Sequence, residues 1–226
     1  PMLASFIIIL SPEGKELEKI PLLEAFRDSP YALLLYHPKA EGKERWDHLH
    51  ANTVTVLEPE MATHFPMFKP GFIMVSVRNM NTIAVIDPGT RKVVWAYNGL
   101  WVAQHAATFL ENGHILVYDN QGHSVGSDTF TRILEIDPKT LAVTWSYGTR
   151  KDQRFFSAVH GRLQRLPNGN TLFTDPAHGR ICEIDAEGTV AWEYRLPDIT
   201  VPVKRPENNA IYSIRRYTKE ELPFLR

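Results

Sequence analysis

Three histidines recur at a spacing of 55 residues: His50, His105 and His160. Each opens a short apolar stretch, in His50-Ala-Asn52-Thr-Val, His105-Ala-Ala-Thr-Phe and His160-Gly-Arg-Leu-Gln. A neutral imidazole is a competent nucleophile near neutral pH, and its pKa suits proton transfer there. Three imidazoles brought together leave an open coordination position, so a metal is the other chemistry to weigh. Arg78 ends the strand-like run Met74-Val-Ser-Val-Arg78 and would reach the same end of such a strand. A guanidinium there opposes a cation and suits a bound phosphate or sulfate group. The residues therefore read as an anion site with no metal and no cofactor.

Histidines 55 residues apart converge only if a repeated element carries them. Ile83-Ala-Val-Ile-Asp87-Pro is followed by Val93-Val-Trp95-Ala-Tyr97. Ile133-Leu-Glu-Ile-Asp137-Pro leads likewise to Val143-Thr-Trp145-Ser-Tyr147, and Ile181-Cys-Glu-Ile-Asp185-Ala to Val190-Ala-Trp192-Glu-Tyr194. A period near 50 with this much strand character is that of a propeller blade. Upstream, Leu110-Glu-Asn112-Gly113 and Leu166-Pro-Asn168-Gly169 sit between apolar runs, and Asn-Gly supplies the positive φ of a tight hairpin. Asp87-Pro88 and Asp137-Pro138 suit the next turns.

The predicted strands are 52–57, 71–77, 82–87 and 92–97, then 105–110, 114–119, 131–137 and 142–147, then 160–166, 170–175, 180–185 and 189–195. The chain reads as one all-β domain over 1–226, a β-propeller of four-stranded antiparallel blades. Its parts are a partial blade at 1–45, blades at about 46–98, 99–148 and 149–196, and a partial closing blade at 197–226 with an inner strand near 209–217. In that geometry the first strand of each blade is innermost, so the three histidines face the axis in register. The repeated Trp and Tyr fill the gaps between blades, and Cys182 is a small buried hydrophobe.

Composition narrows the partners. Of 226 residues, 43% are hydrophobic and 23% charged, and the formal net charge is −1. With no run of like charges, neither nucleic acid nor an anionic membrane is expected. One cysteine excludes an internal disulfide framework. Met2 to Leu10 is too short an apolar run to span a bilayer. The chain opens on Pro1 and runs straight into strand-like sequence, which reads as an N-terminally truncated propeller.

The strings Trp46-Asp47-His48-Leu49-His50-Ala51-Asn52-Thr53-Val54 and Met74-Val-Ser-Val-Arg78 resemble the bacterial-type aryl-sulfate sulfotransferases. Gln104-His105 with Asn112-Gly113 and Leu116-Val-Tyr-Asp119-Asn120 does so too, as do Leu166-Pro-Asn-Gly-Asn-Thr-Leu and Trp192-Glu-Tyr194. The similarity runs through most of residues 45–217. It implies a six-bladed propeller that moves a sulfuryl group from an aryl sulfate to a phenol without a nucleotide donor, through a transient sulfohistidine.

The resemblance makes His105 the nucleophile, with His50, Asn52 and Arg78 holding the sulfuryl oxygens. A further family histidine, from the blade before His50, has no counterpart here. His160 and His48 fall to substrate binding, His48 standing where the family usually has an aromatic. Asp119 and Asn120 are read either as orienting neighbours or as a plain strand-end turn. His50 and His160 both qualify to protonate the leaving phenol. The implied partners are small aryl sulfates and phenols, and the implied compartment is periplasmic or secreted; the oligomeric state is left open. Two other propeller readings share the Asp…Trp repeat: a non-enzymatic ligand-binding or scaffold propeller, and a quinoprotein. The second predicts axial calcium carboxylates, and no acidic cluster is placed for them.

Overall fold

A computed structural model describes residues 3–36, 47–121, 129–197 and 211–225. Strands β1 (Phe6–Leu10) and β2 (Glu16–Pro21) form a two-stranded hairpin. Three four-stranded antiparallel sheets follow, each joined in simple sequence order. The first holds β3 (Ala51–Val56), β4 (Ile73–Val77), β5 (Thr82–Asp87) and β6 (Lys92–Asn98). The second holds β7 (His105–Phe109), β8 (Ile115–Asp119), β9 (Arg132–Ile136) and β10 (Val143–Tyr147). The third holds β11 (Leu163–Arg165), β12 (Thr171–Asp175), β13 (Arg180–Ile184) and β14 (Val190–Arg195). These are propeller blades.

Burial explains the sequence of each strand. β4, β8 and β12 are buried at every residue, because a second strand is covered on both faces: by blades for β8, by the β1–β2 hairpin and the helix after it on one side of β4, and by Ile211 and Ile214 beside Leu172 of β12. These strands therefore read as continuous apolar runs rather than alternating ones. The seams carry the core. Between the first two blades, Phe65, Met74, Val85, Phe109 and Val117 pack together. Between the second and third, Leu116, Tyr118, Tyr147, Phe155 and Phe173 do so, with Cys182. Burial pushes the Cys182 thiol up to about 12, so it behaves as the apolar group expected.

The Asp turns set the interval from each Asp to the Trp of its blade, which is one residue shorter in the third. The Asp87 carboxylate accepts from Gly89 N–H at 2.9 Å and from the Thr90 hydroxyl at 3.1 Å. Asp137 repeats this with Lys139 and Thr140, both at 2.8 Å. In the third blade Asp185 instead accepts from Thr189 N–H at 2.7 Å, across a turn that is one residue shorter and closed by Gly188 at φ 83°. In the Asn-Gly hairpins only the glycines have positive φ, 85° at Gly113 and 87° at Gly169, so each loop is a three-residue turn ending on a left-handed residue.

Two expectations change. The Trp and Tyr of the first two blades pack into seams, and Trp145 Nε1 donates to the Ala186 carbonyl at 2.7 Å. Trp192 and Tyr194, by contrast, are 43% and 44% exposed, because no described blade covers the third sheet. The expected inner strand at 209–217 is not a ladder strand over 211–217, and 209 and 210 lie outside the described residues. The Gln164 side chain holds this segment instead, donating to the Arg216 carbonyl at 2.9 Å and accepting from Arg216 N–H at 2.8 Å.

Candidate active site

The inner edges of the three sheets, with residues 159–162 and 212–213, enclose a cavity of about 530 Å³. His50, Asn52, Arg78, His105 and His160 all line it. The sequence thus brought five of its six site candidates to one place. His48 is not among the lining residues: it is buried, and its Nε2 donates to the Leu35 carbonyl at 2.9 Å. Trp46, which opens the motif, lies outside the described residues.

The three histidines are not in register, although their spacing is even. Val77, Asp119 and Asp175 are equivalent strand ends, pairing with Thr82, Arg132 and Arg180. His50 sits just beyond this level, where its carbonyl accepts from Arg78 N–H at 3.2 Å. His160 lies at the same level, three residues before β11. His105 pairs with Tyr118, two residues further into the sheet. The rung of His105 is taken by Asn52 and Thr53 at a bulge in the first blade and by Arg162 in the third. The equal spacing is fortuitous: the long β3–β4 connection of the first blade, with its helix at Pro59–Ala62, is offset by longer connections after β8 and β10 in the second. His50 and His160 share a left-handed backbone, φ 49° and 63°, and Ala103, which stands at the same level in the second blade, has it too at 56°. Such values are uncommon for residues other than glycine and cluster at working sites.

His105 is 9% exposed, and its Nδ1 faces two oxygens: Asn120 Oδ1 at 2.7 Å and the Ala103 carbonyl at 3.1 Å. The Asn120 amide cannot be turned around. Its Nδ2 donates to the Ser157 carbonyl at 2.9 Å and to the His160 carbonyl at 2.6 Å, so Oδ1 must face His105. Two acceptors require the proton on Nδ1 and leave the lone pair on Nε2. Burial pushes the imidazole down to about 4. The hydrogen bonds to Asn120 and Ala103 oppose that shift, and the nearby Arg78 and His160 add to it. At neutral pH His105 is an uncharged base.

The other groups are fixed around it. Asp47 binds His50 twice, accepting from Nδ1 at 2.6 Å and from its backbone N–H at 2.9 Å. Asn79 donates to the Asp47 carbonyl at 2.6 Å and accepts from Arg78 Nη1 at 2.9 Å, tying that loop to the arginine. Arg78 opens a 3-10 turn immediately after β4. Asn52 Nδ2 donates to the Gln104 carbonyl at 2.8 Å, and Gln104, wholly buried, donates to the Val77 and Thr82 carbonyls of the first blade. The His160 ring meets Tyr212 edge-on at 4.4 Å between centroids and His105 at 6.2 Å. No carboxylate lines the cavity among the described residues.

The site thus presents one buried neutral imidazole beside a guanidinium and amide donors. The profile of the arylsulfotransferase (ASST) family matches residues 2–196. The chain belongs to the arylsulfotransferase family. No curated protein sequence matches it. Among solved structures, the Dos1 propeller resembles it with a TM-score of 0.51 at 10% identity, over 87% of this chain and 43% of that one. A protein of unknown function from Bacteroides caccae gives 0.49 at 16% identity, over 85% and 54%. Quinohemoprotein alcohol dehydrogenase from Comamonas testosteroni gives 0.46 at 14% identity, over 85% and 35%. The chain therefore spans about half or less of these structures. No helix among its described residues is long and apolar enough to cross a membrane.

Sequence reasoning missed Asp47 and left Asn120 undecided. Arg162, Tyr212 and Ser213, which also line the cavity, went unassigned. Asn120 had a usable signal, since it follows β8 where Arg78 follows β4.

Proposed function

We propose that this chain transfers a sulfuryl group from an aryl sulfate to a phenol, without a nucleotide, through a covalent sulfo-His105 intermediate. The observation that carries this reading is the lone pair of His105 Nε2, fixed by its Nδ1 partners at the edge of a cavity that Arg78 lines and no described carboxylate does.

In the first step Nε2 attacks sulfur, an N–S bond forms, and the bond from sulfur to the aryl oxygen breaks. The imidazole then carries positive charge, which the Asn120 and Ala103 oxygens stabilise through the Nδ1 proton. Charge on the three sulfuryl oxygens meets the Arg78 guanidinium and the second Asn52 amide hydrogen. The departing aryl oxide takes a proton from His50, whose Nδ1 is anchored on Asp47 as a base is by its orienting carboxylate. His160 and Tyr212 offer an aromatic edge to the aryl ring. In the second step His50 takes the proton of the incoming phenol, whose oxygen attacks sulfur and frees His105.

The test is transfer from 4-nitrophenyl sulfate to phenol, read as nitrophenolate release with ping-pong kinetics. Replacing His105 with Ala should abolish transfer and the trapped sulfo-protein together, while Arg78→Ala should slow both half-reactions roughly 10²–10³-fold. Near-full activity in His105→Ala would overturn the assignment.

A further inference from the structure

A single sulfuryl group does not account for the charge in this cavity. Arginines elsewhere in the described chain are committed: Arg132 pairs with Asp119 at 2.6 Å, Arg165 with Glu135 at 2.6 Å, and Arg154 lies over the Phe130 ring. Arg78 and Arg162 have no carboxylate partner among the described residues, and both line the same cavity. Two guanidiniums without carboxylate partners, reaching one cavity from the first and third blades, favour anions there.

Arg162 is also held as a functional residue would be. Its backbone N–H donates to Thr174 Oγ1 at 2.9 Å, and its carbonyl accepts from Thr174 N–H at 3.1 Å. Thr174 is the penultimate residue of β12, as Tyr118 is of β8, so Arg162 occupies the rung that His105 occupies one blade earlier. The preceding Gly161 has φ 120°, and a Cβ there would lie 2.6 Å from the Tyr118 ring, which fixes the direction of the chain into Arg162. The exposed side chain enters the cavity from the third blade, on the same stretch as His160.

We infer that Arg162 is a second anion contact, and that the preferred substrates are aryl compounds carrying a carboxylate besides the group that is transferred. This rests on the sulfuryl-transfer reading of the same cavity. Arg78 serves the sulfuryl oxygens beside His105, while Arg162 takes the carboxylate at the far side of the ring and selects the substrate without touching the reacting atoms.

Binding is measured by calorimetry with benzenesulfonate and 4-sulfobenzoate, whose carbon–sulfur bonds an imidazole cannot break. The protein should bind 4-sulfobenzoate about tenfold more tightly, as expected for a charge-assisted hydrogen bond. Arg162→Gln should bind the two within about twofold with benzenesulfonate affinity unchanged, and Arg162→Lys should keep part of the preference. The parallel measurement is kcat/KM for 4-carboxyphenyl sulfate over 4-nitrophenyl sulfate, as a ratio of unmodified protein to Arg162→Gln, which cancels intrinsic leaving-group reactivity. No preference in the unmodified protein, or a preference that survives Arg162→Gln, overturns the inference. Equal weakening of both ligands also overturns it, since Arg162 would then serve the sulfuryl group itself. A binding preference with no transfer from either donor supports the role of Arg162 and sinks the transferase reading instead.

Discussion

His105 carries its proton on Nδ1 because two oxygens and no donor face that nitrogen, and Asn120 is what makes this hold. Replacing Asn120 with Asp puts a carboxylate 2.7 Å from Nδ1, which favours the imidazolium. The acid limb of the rate profile for the first half-reaction, near pH 4 in the unmodified protein, should then move up by at least about one unit. An unmoved limb would mean that His105 is not the group losing its proton. The same shift has a stability consequence. His105 binds its proton at about 4 when folded and at 6.5 when unfolded, so the unfolded chain holds more protons between those values. Stability is full above 6.5 and is lost as pH falls towards 4, by about 2 kcal/mol at pH 5. Urea titrations at pH 7 and pH 5 should show that loss, and His105→Gln should remove most of it. Residue types were enough to name a set that meets in space: His50, Asn52, Arg78, His105 and His160 all line one cavity. His48 does not join them, because whether it turns to the Leu35 carbonyl or to the cavity depends on a neighbour distant in sequence.

Hairpins and strands were legible because local chemistry sets them, as with the Asp137 carboxylate closing its own turn. Register was not, since it depends on bulges at Ala51/Thr53 and His105/Thr108 that no spacing reveals. The 55-residue interval therefore placed three histidines at one end of the blades but put His105 two rungs too shallow. Gly161 is the element-level feature that sets the third blade against the second. Gly161→Ala must either strain a residue at φ 120° or move the Tyr118 ring that lies 2.6 Å from the new Cβ. It should cost roughly 1–3 kcal/mol and lower transfer activity through displacement of His160 and Arg162. Thermal unfolding with steady-state kinetics checks both, and an active, fully stable variant would show that the turn tolerates a side chain.

At the scale of the molecule the seams differ in chemistry. The first carries no ion pair among the residues described above: Phe68 packs on Trp95 and Phe109 within its apolar core, and neutral hydrogen bonds of Gln104 cross its inner end. The second is partly ionic: Glu135 accepts from His114 and Asn112 and pairs with Arg165, whose guanidinium lies over Trp145. Glu183, Asn170, Arg216 and Trp192 repeat that cluster on the outer face of the third blade, so residues 211–217 stand where the next blade's first strand would. Burial raises the Glu135 carboxyl, but its hydrogen bonds to His114 and Asn112 and the charge on Arg165 outweigh this and hold it below the usual range. The second seam should therefore loosen first in acid and salt. Asn120 spans that same seam, reaching from His105 to the carbonyls of Ser157 and His160. When the seam parts, its amide is released to turn, and His105 loses the contact that selects its tautomer. Transfer should accordingly vanish at a lower urea concentration than the far-ultraviolet sheet signal, and coincident losses would show that the seam does not open separately. If His105 takes up sulfuryl as proposed, a molecule whose joint has sprung before loading has no sulfuryl to spill into water, so damage of that kind leaves it idle rather than leaky.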